Sequence, residues 1–93
     1  MIREVDPKDL VKITRLSQTH AAAFDRGWSA NDIASFASRG LLLSDEADAF
    51  ALFSISADEA ELLTIVTPVE AQRTGRAQRL LSAAFPKLRS KDV

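Results

Sequence analysis

The residues best placed to do chemistry lie in one run, Ile65 to Leu81 (IVTPVEAQRTGRAQRLL). A wholly apolar stretch ends at Thr67, a short polar link follows, and Gln72-Arg73-Thr74-Gly75-Arg76-Ala77 opens an amphipathic segment. At a helix start the backbone N–H groups lack partners, and the macrodipole adds partial positive charge. Glycine lets an anion approach that backbone closely, and Ala77 keeps the next contact small. Between Gln72 and Arg79 stand three arginines and no acid. The pattern predicts an anion site, best matched by a pyrophosphate. The plainer reading is a helix cap whose arginines solvate an exposed face.

Other chemistries have little material. Cysteine is absent and there is one histidine, His20, which excludes disulfides, thiol nucleophiles and Cys-based zinc sites. His20 falls on the inner stripe of an amphipathic helix and reads as a hydrogen-bonded core residue. No serine or cysteine nucleophile with an acid partner is evident. Asp45-Glu46-Ala47-Asp48 is rich in carboxylates but lacks the spacing of a calcium loop, so it reads as a turn. No metal is expected.

The 93 residues suit one small domain, with 46% hydrophobic and 27% charged residues. A net charge of −1 gives no basic field for nucleic acid or an anionic membrane. The charged N-terminus is unlike a signal peptide, and a cytoplasmic setting is expected.

The elements that must hold the anion loop follow from periodicity. Ile2 to Val5 predicts a short strand with one buried face. Asp6-Pro7 predicts a helix start, with Asp6 as N-cap. Leu10, Ile13, Ser17, His20 and Phe24 then define an inner face, widened by Leu16, Ala21 and Ala23. Asp25-Arg26-Gly27 breaks it. Ser29, with Asp32 at the third helical position, predicts the cap of a second helix bearing Ile33, Phe36 and Ala37 inward. Gly40 is expected to end that helix in a left-handed conformation.

Leu41–Ser44, Ala49–Ser56 and Glu59–Thr67 read as an antiparallel meander, and the apolar runs of the last two suggest strands covered on both faces. After Pro68, Ala77, Leu80, Leu81, Ala84 and Leu88 form a helical stripe with Arg76 and Arg79 on the other side. Pro86 predicts a kink or stop.

The segment from Gln72 to Ala77 resembles the acetyl-coenzyme-A motif of the GNAT N-acetyltransferase superfamily, Gln/Arg-x-x-Gly-x-Gly/Ala. The resemblance spans essentially the whole chain, including the order β-α-α-β-β-β-α. HAAAFDRGWS and DEAELLTIV also resemble the ribosomal-protein-alanine N-acetyltransferase subgroup. The fold class implied is α/β, a mixed and largely antiparallel sheet with flanking helices. Residues 1–93 would form a single partial domain lacking the family's C-terminal strands and helix.

By this resemblance, the backbone amides of Gln72, Arg73, Thr74, Gly75, Arg76 and Ala77 would hold the pyrophosphate of acetyl-CoA, the cosubstrate. The main chain of Ile65, Val66 and Thr67 would pair with the pantetheine arm as an added strand. Pro68 falls one position before the family's usual proline, where Val69 stands.

Glu61 matches the general-base glutamate of the histone-acetyltransferase branch, since an ammonium must lose its proton before attacking a thioester. Glu59 shares its face. The alternative is that both are solvated residues at a strand start. Phe24 and Trp28 would line the acceptor groove, although buried aromatics serve equally as core.

The function implied is acetyl transfer to a primary amine, a protein N-terminus by the subgroup resemblance. The alternative is a non-catalytic coenzyme-A-binding or interaction module, because the family's usual tyrosine acid has no counterpart in a sequence without tyrosine. An uncovered strand edge also predicts a homodimer or a complementary chain.

Overall fold

In the computed structural model, which describes residues 1–24 and 27–91, the elements follow the predicted order. They are β1 (Arg3–Glu4), α1 (Leu10–Ala23), α2 (Ala30–Ser38), β2 (Gly40–Ser44), β3 (Phe50–Ser56), β4 (Glu59–Val66) and α3 (Arg76–Ser90). A 3-10 turn, Val69–Ala71, separates β4 from α3.

The four strands lie in chain order, β1-β2-β3-β4, and every pairing is antiparallel. Alternating side chains divide the interior into two layers. On one face Leu42, Phe50, Leu52 and Val66 meet Ile13 and Leu16 of α1 and Ile33 and Ala37 of α2. On the other, Leu41, Leu43, Ala51 and Phe53 meet Leu80, Ala84 and Leu88 of α3. The central part of β3 is buried on both sides, which explains its unbroken apolar run.

The register slips between Leu52 and Phe53, which pair with Thr64 and Leu62 respectively. Leu63 is therefore the additional residue of a β-bulge. Glu59 and Glu61, opposite Ser56 and Ser54, face the α1/α2 side, as do Thr64 and Val66.

Several local expectations are corrected. Helix α1 begins at Leu10, not at Pro7. The Asp6 carboxylate instead accepts the Lys8 N–H at 2.8 Å, closing an Asx turn, and Asp9 caps the helix through Lys12 N–H at 3.1 Å. Leu10, Ala21 and Ala23 are exposed, while the inner stripe includes Lys12 with Ile13, Leu16 and His20. Ile2 and Val5 pack in different layers, because residues three apart on a strand point to opposite faces.

Ser29 and Asp32 form the expected capping box of α2. Gly40 does not end that helix in a left-handed turn. It lies in β2, where a Cβ would sit 1.9 Å from the Phe53 carbonyl oxygen, so close interstrand approach explains the glycine. Pro86 does not stop α3, which continues to Ser90. Pro86 and Ser82 are both exposed, so water can serve the Ser82 carbonyl that loses its helical donor. The expected break at Asp25-Arg26 lies outside the described residues.

Candidate functional site

The loop between β4 and α3 is built by three local devices. Ala71 N–H donates to the Pro68 carbonyl at 2.9 Å, closing the 3-10 turn. Thr74 Oγ1 donates to the Ala71 carbonyl at 2.7 Å, and the Arg79 guanidinium to the Thr74 carbonyl at 2.8 Å. Arg73 and Gly75 have φ of 65° and 76°, left-handed values. At Gly75 that conformation, more than steric room, calls for glycine. Arg73 adopts it at a cost in backbone strain.

The consequence is a run of free donors. The first main-chain bond of α3 is Arg79 N–H to the Gly75 carbonyl at 3.0 Å. The N–H groups of residues 73–78 have no acceptor among the described residues, and no side chain caps the helix. Left-handed residues next to a helix start curl consecutive N–H groups around an anion. The loop borders a concavity of about 310 Å³ lined by Thr67, Ala71, Gln72, Arg73, Gly75, Arg76 and Ala77. Of the nine sequence-predicted cofactor residues, these include all but Ile65, Val66 and Thr74.

Ile65 and Val66 lie on β4, an edge strand whose outer side has no partner strand among the described residues. The Val66 side chain is buried, so only its main chain is offered at that edge. Beyond Val66, the Thr67 carbonyl accepts from Gln72 Nε2 at 3.3 Å. A second concavity, about 240 Å³, lies between Thr19, Ala22 and Ala23 of α1 and the residues Thr67, Val69 and Gln72.

Glu61 stands four residues before Ile65 on the same strand, roughly 13 Å away by strand rise. It is exposed, as is Glu59, and neither side chain has a hydrogen-bond or ionic partner among the described residues. Phe24 is 47% exposed, and Trp28 is half-buried against Phe36, 5.2 Å between ring centres. His20 sits between them, 4.6 Å from the Phe24 ring and stacked on Trp28 at 4.7 Å. Its Nδ1 accepts the Trp28 N–H at 3.0 Å, and Ser17 Oγ donates to the Trp28 carbonyl at 2.7 Å. Burial lowers the His20 pKa below its ordinary value. The histidine is a buried, hydrogen-bonded support for the aromatic corner, as its position in the helical stripe implied.

The ionic anchor behind the loop was not legible as such. Arg76 was expected on the exposed side of α3. Instead its guanidinium meets Asp45 at 2.8 Å and Glu46 at 3.7 Å, and the bond to Asp45 raises its pKa. Asp45 also accepts the N–H groups of Ala47 and Ala49 at 2.9 and 3.2 Å. Buried Lys12 donates to the Asp45 carbonyl at 2.8 Å and to Asp48 at 2.6 Å. The predicted turn is present, and it ties α1 and the start of α3 to the β2–β3 corner. The available signal was a lysine inside an apolar stripe, together with an excess of acid at one turn.

Among the described residues, no helix is long and apolar enough to cross a membrane. No cluster of three His, Cys, Asp or Glu side chains able to hold a metal occurs among them either.

No family model matches the chain, and no curated protein sequence matches it. The crystal structure of the ribosomal-protein-S18-alanine N-acetyltransferase from Escherichia coli does match, with a TM-score of 0.72 and 26% sequence identity. The match covers 98% of this chain and 60% of that protein. The helices and antiparallel sheet that carry the loop thus share the GNAT-type fold of that N-acetyltransferase over the matched 60% of its length.

Proposed function

We propose that the chain binds acetyl-CoA and serves transfer of its acetyl group to a primary amine, the N-terminus of a protein or peptide. The observation that carries this reading is the run of unpartnered amides at residues 73–78, set beside an open strand edge. The amides suit a pyrophosphate, and the edge at Ile65–Thr67 suits an extended polyamide arm. Main-chain donors fit both parts of one ligand. The cysteine-free composition fits a reducing, cytoplasmic setting.

In the reaction the amine nitrogen bonds to the thioester carbonyl carbon, the C–S bond breaks with its electron pair leaving on the coenzyme A thiolate, which takes a proton from solvent, and the amine loses a proton. Glu61 takes that proton through water, and Phe24 and Trp28 form the apolar wall of the acceptor groove. Main-chain donors of β4 oppose the negative charge that develops on the carbonyl oxygen. A homodimer, or a complementary chain, covers the remaining β4 edge. A monodisperse monomer in light scattering at micromolar concentration would exclude that assembly.

Calorimetric titration of acetyl-CoA into the folded chain tests the binding step. Gly75→Glu should abolish binding, because its carboxylate enters the anion loop and its φ of 76° disfavours any side chain. Unchanged affinity in that variant would refute the loop assignment. One second reading is a non-catalytic coenzyme-A-binding or interaction module, which would use the same amide loop for binding alone. Binding without turnover on peptide amines would select it.

A further inference from the structure

We propose that the Gln72 side chain is a built-in latch on the cofactor groove, occupying the place of a ligand amide until an arm-bearing ligand displaces it. The inference rests on the reading of residues 65–77 as a coenzyme-A site. It concerns how that site is closed and what opens it.

Gln72 Nε2 donates to the Thr67 carbonyl at 3.3 Å. That carbonyl stands just past the end of β4, where an extended arm running along the strand edge would seek an acceptor. The donor is a primary carboxamide, the nearest side-chain equivalent of the secondary amides in a pantetheine arm. Its bond gives the Thr67 carbonyl the kind of partner a bound arm would give.

The latch also stands between two spaces. Thr67 and Gln72 line both the 310 Å³ concavity at the amide loop and the 240 Å³ concavity against α1. The carboxamide that spans from residue 72 to residue 67 is therefore part of the wall of both. Rotation of an exposed glutamine needs no backbone change, so the Thr67 carbonyl is freed by a side-chain rotamer alone. The far space is walled by Thr19, Ala22 and Ala23, small enough to leave width for a chain of methylenes and amides. A ligand that carries only the diphosphate end fills the first space and leaves the latch closed. A ligand with the arm must open it.

Closing therefore lowers apparent affinity for the whole coenzyme by the fraction of time the latch is open, and leaves an armless ligand unaffected. For one solvent-exposed hydrogen bond that factor is about threefold to tenfold. Gln72→Met keeps the length and removes the donor, while Gln72→Ala removes the bulk as well.

The test measures coenzyme A and its armless counterpart, 3′-phosphoadenosine 5′-diphosphate, by calorimetry against the wild-type chain and both variants. Unchanged melting temperatures verify folding. The expected result is a coenzyme A affinity that rises about threefold to tenfold relative to that of the armless ligand in Gln72→Met and Gln72→Ala. In wild type, the Gln72 side-chain amide NMR signals should shift further with coenzyme A than with the armless ligand. If the armless ligand binds but the variants leave that ratio unchanged, or lower it, the latch is refuted and the site stands. If neither ligand binds the wild-type chain, the site assignment falls and the latch with it.

Discussion

Replacing Lys12 by methionine isolates the ionic anchor at the β2–β3 corner. The Lys12 side chain is 6% exposed and its ammonium donates at 2.8 Å to the Asp45 carbonyl and at 2.6 Å to Asp48. Methionine keeps the apolar stem packed and removes the charge. Removing one member of a buried ion pair costs about 3–5 kcal/mol, because the other charge stays desolvated. Asp48 is 25% exposed and retains Arg15 at 3.2 Å, which reduces the expected loss to about 2–3 kcal/mol. For a domain of this size that is a fall in Tm of roughly 8–24 °C. Urea unfolding followed by circular dichroism, with an unchanged m value, gives the free energy directly. A cycle with Asp48→Asn should return a coupling of about 1–2 kcal/mol. A Lys12→Met chain within about 0.5 kcal/mol of wild type would refute the anchor, since ordinary surface substitutions reach that size.

Three further outcomes follow from other contacts. Because burial lowers the His20 pKa, the unfolded chain takes up the proton first, so stability is full above about pH 6.5 and falls below it. Tm should drop between pH 7.5 and 5.5 in wild type and stay flat in His20→Phe; a flat wild-type profile contradicts the argument. Glu46, held at about 2 chiefly by its hydrogen bond to the Met1 ammonium, loses its contribution only below about pH 4.5 and leaves that window clear. Gly40→Ala forces a methyl to 1.9 Å from the Phe53 oxygen and should destabilise by at least about 1–3 kcal/mol. An unshifted urea midpoint would show that the strands separate freely. Glu61→Gln should cut turnover about 100-fold or more under saturating substrates, with acetyl-CoA affinity unchanged. Equal turnover would return Glu61 to the status of a solvated strand residue.

The meander, the three helices and a glycine loop opening α3 were legible because each rests on local rules. Apolar runs bounded by turns marked β2, β3 and β4, and Ser29 with Asp32 marked a helix start that the structure closes as a capping box. What escaped depends on contacts distant in sequence. Gly40 follows a helix, so a cap was the local inference, but its real constraint is the backbone of residue 53. Arg76 reads as exposed on a helical wheel, yet Asp45, 31 residues earlier, draws it inward. Asp6-Pro7 satisfies the rules for a helix start, and the Asx turn onto Lys8 competes with it locally. At the loop, spacing indicated donors for an anion. The glutamine that bridges back to Thr67 was beyond its reach.

The stacked pair His20–Trp28 has a spectroscopic consequence. Trp28 is the single tryptophan of the chain, and its indole lies nearly parallel to the imidazole, 16° between planes. A protonated imidazole quenches an adjacent indole far more strongly than a neutral one. The emission of this chain thus reports the charge state of one histidine, with no label and no competing fluorophore of its kind. That signal reads the corner between α1 and α2, the same corner that would flank an acceptor amine. Arrival of a ligand there would be visible as light before any product is assayed.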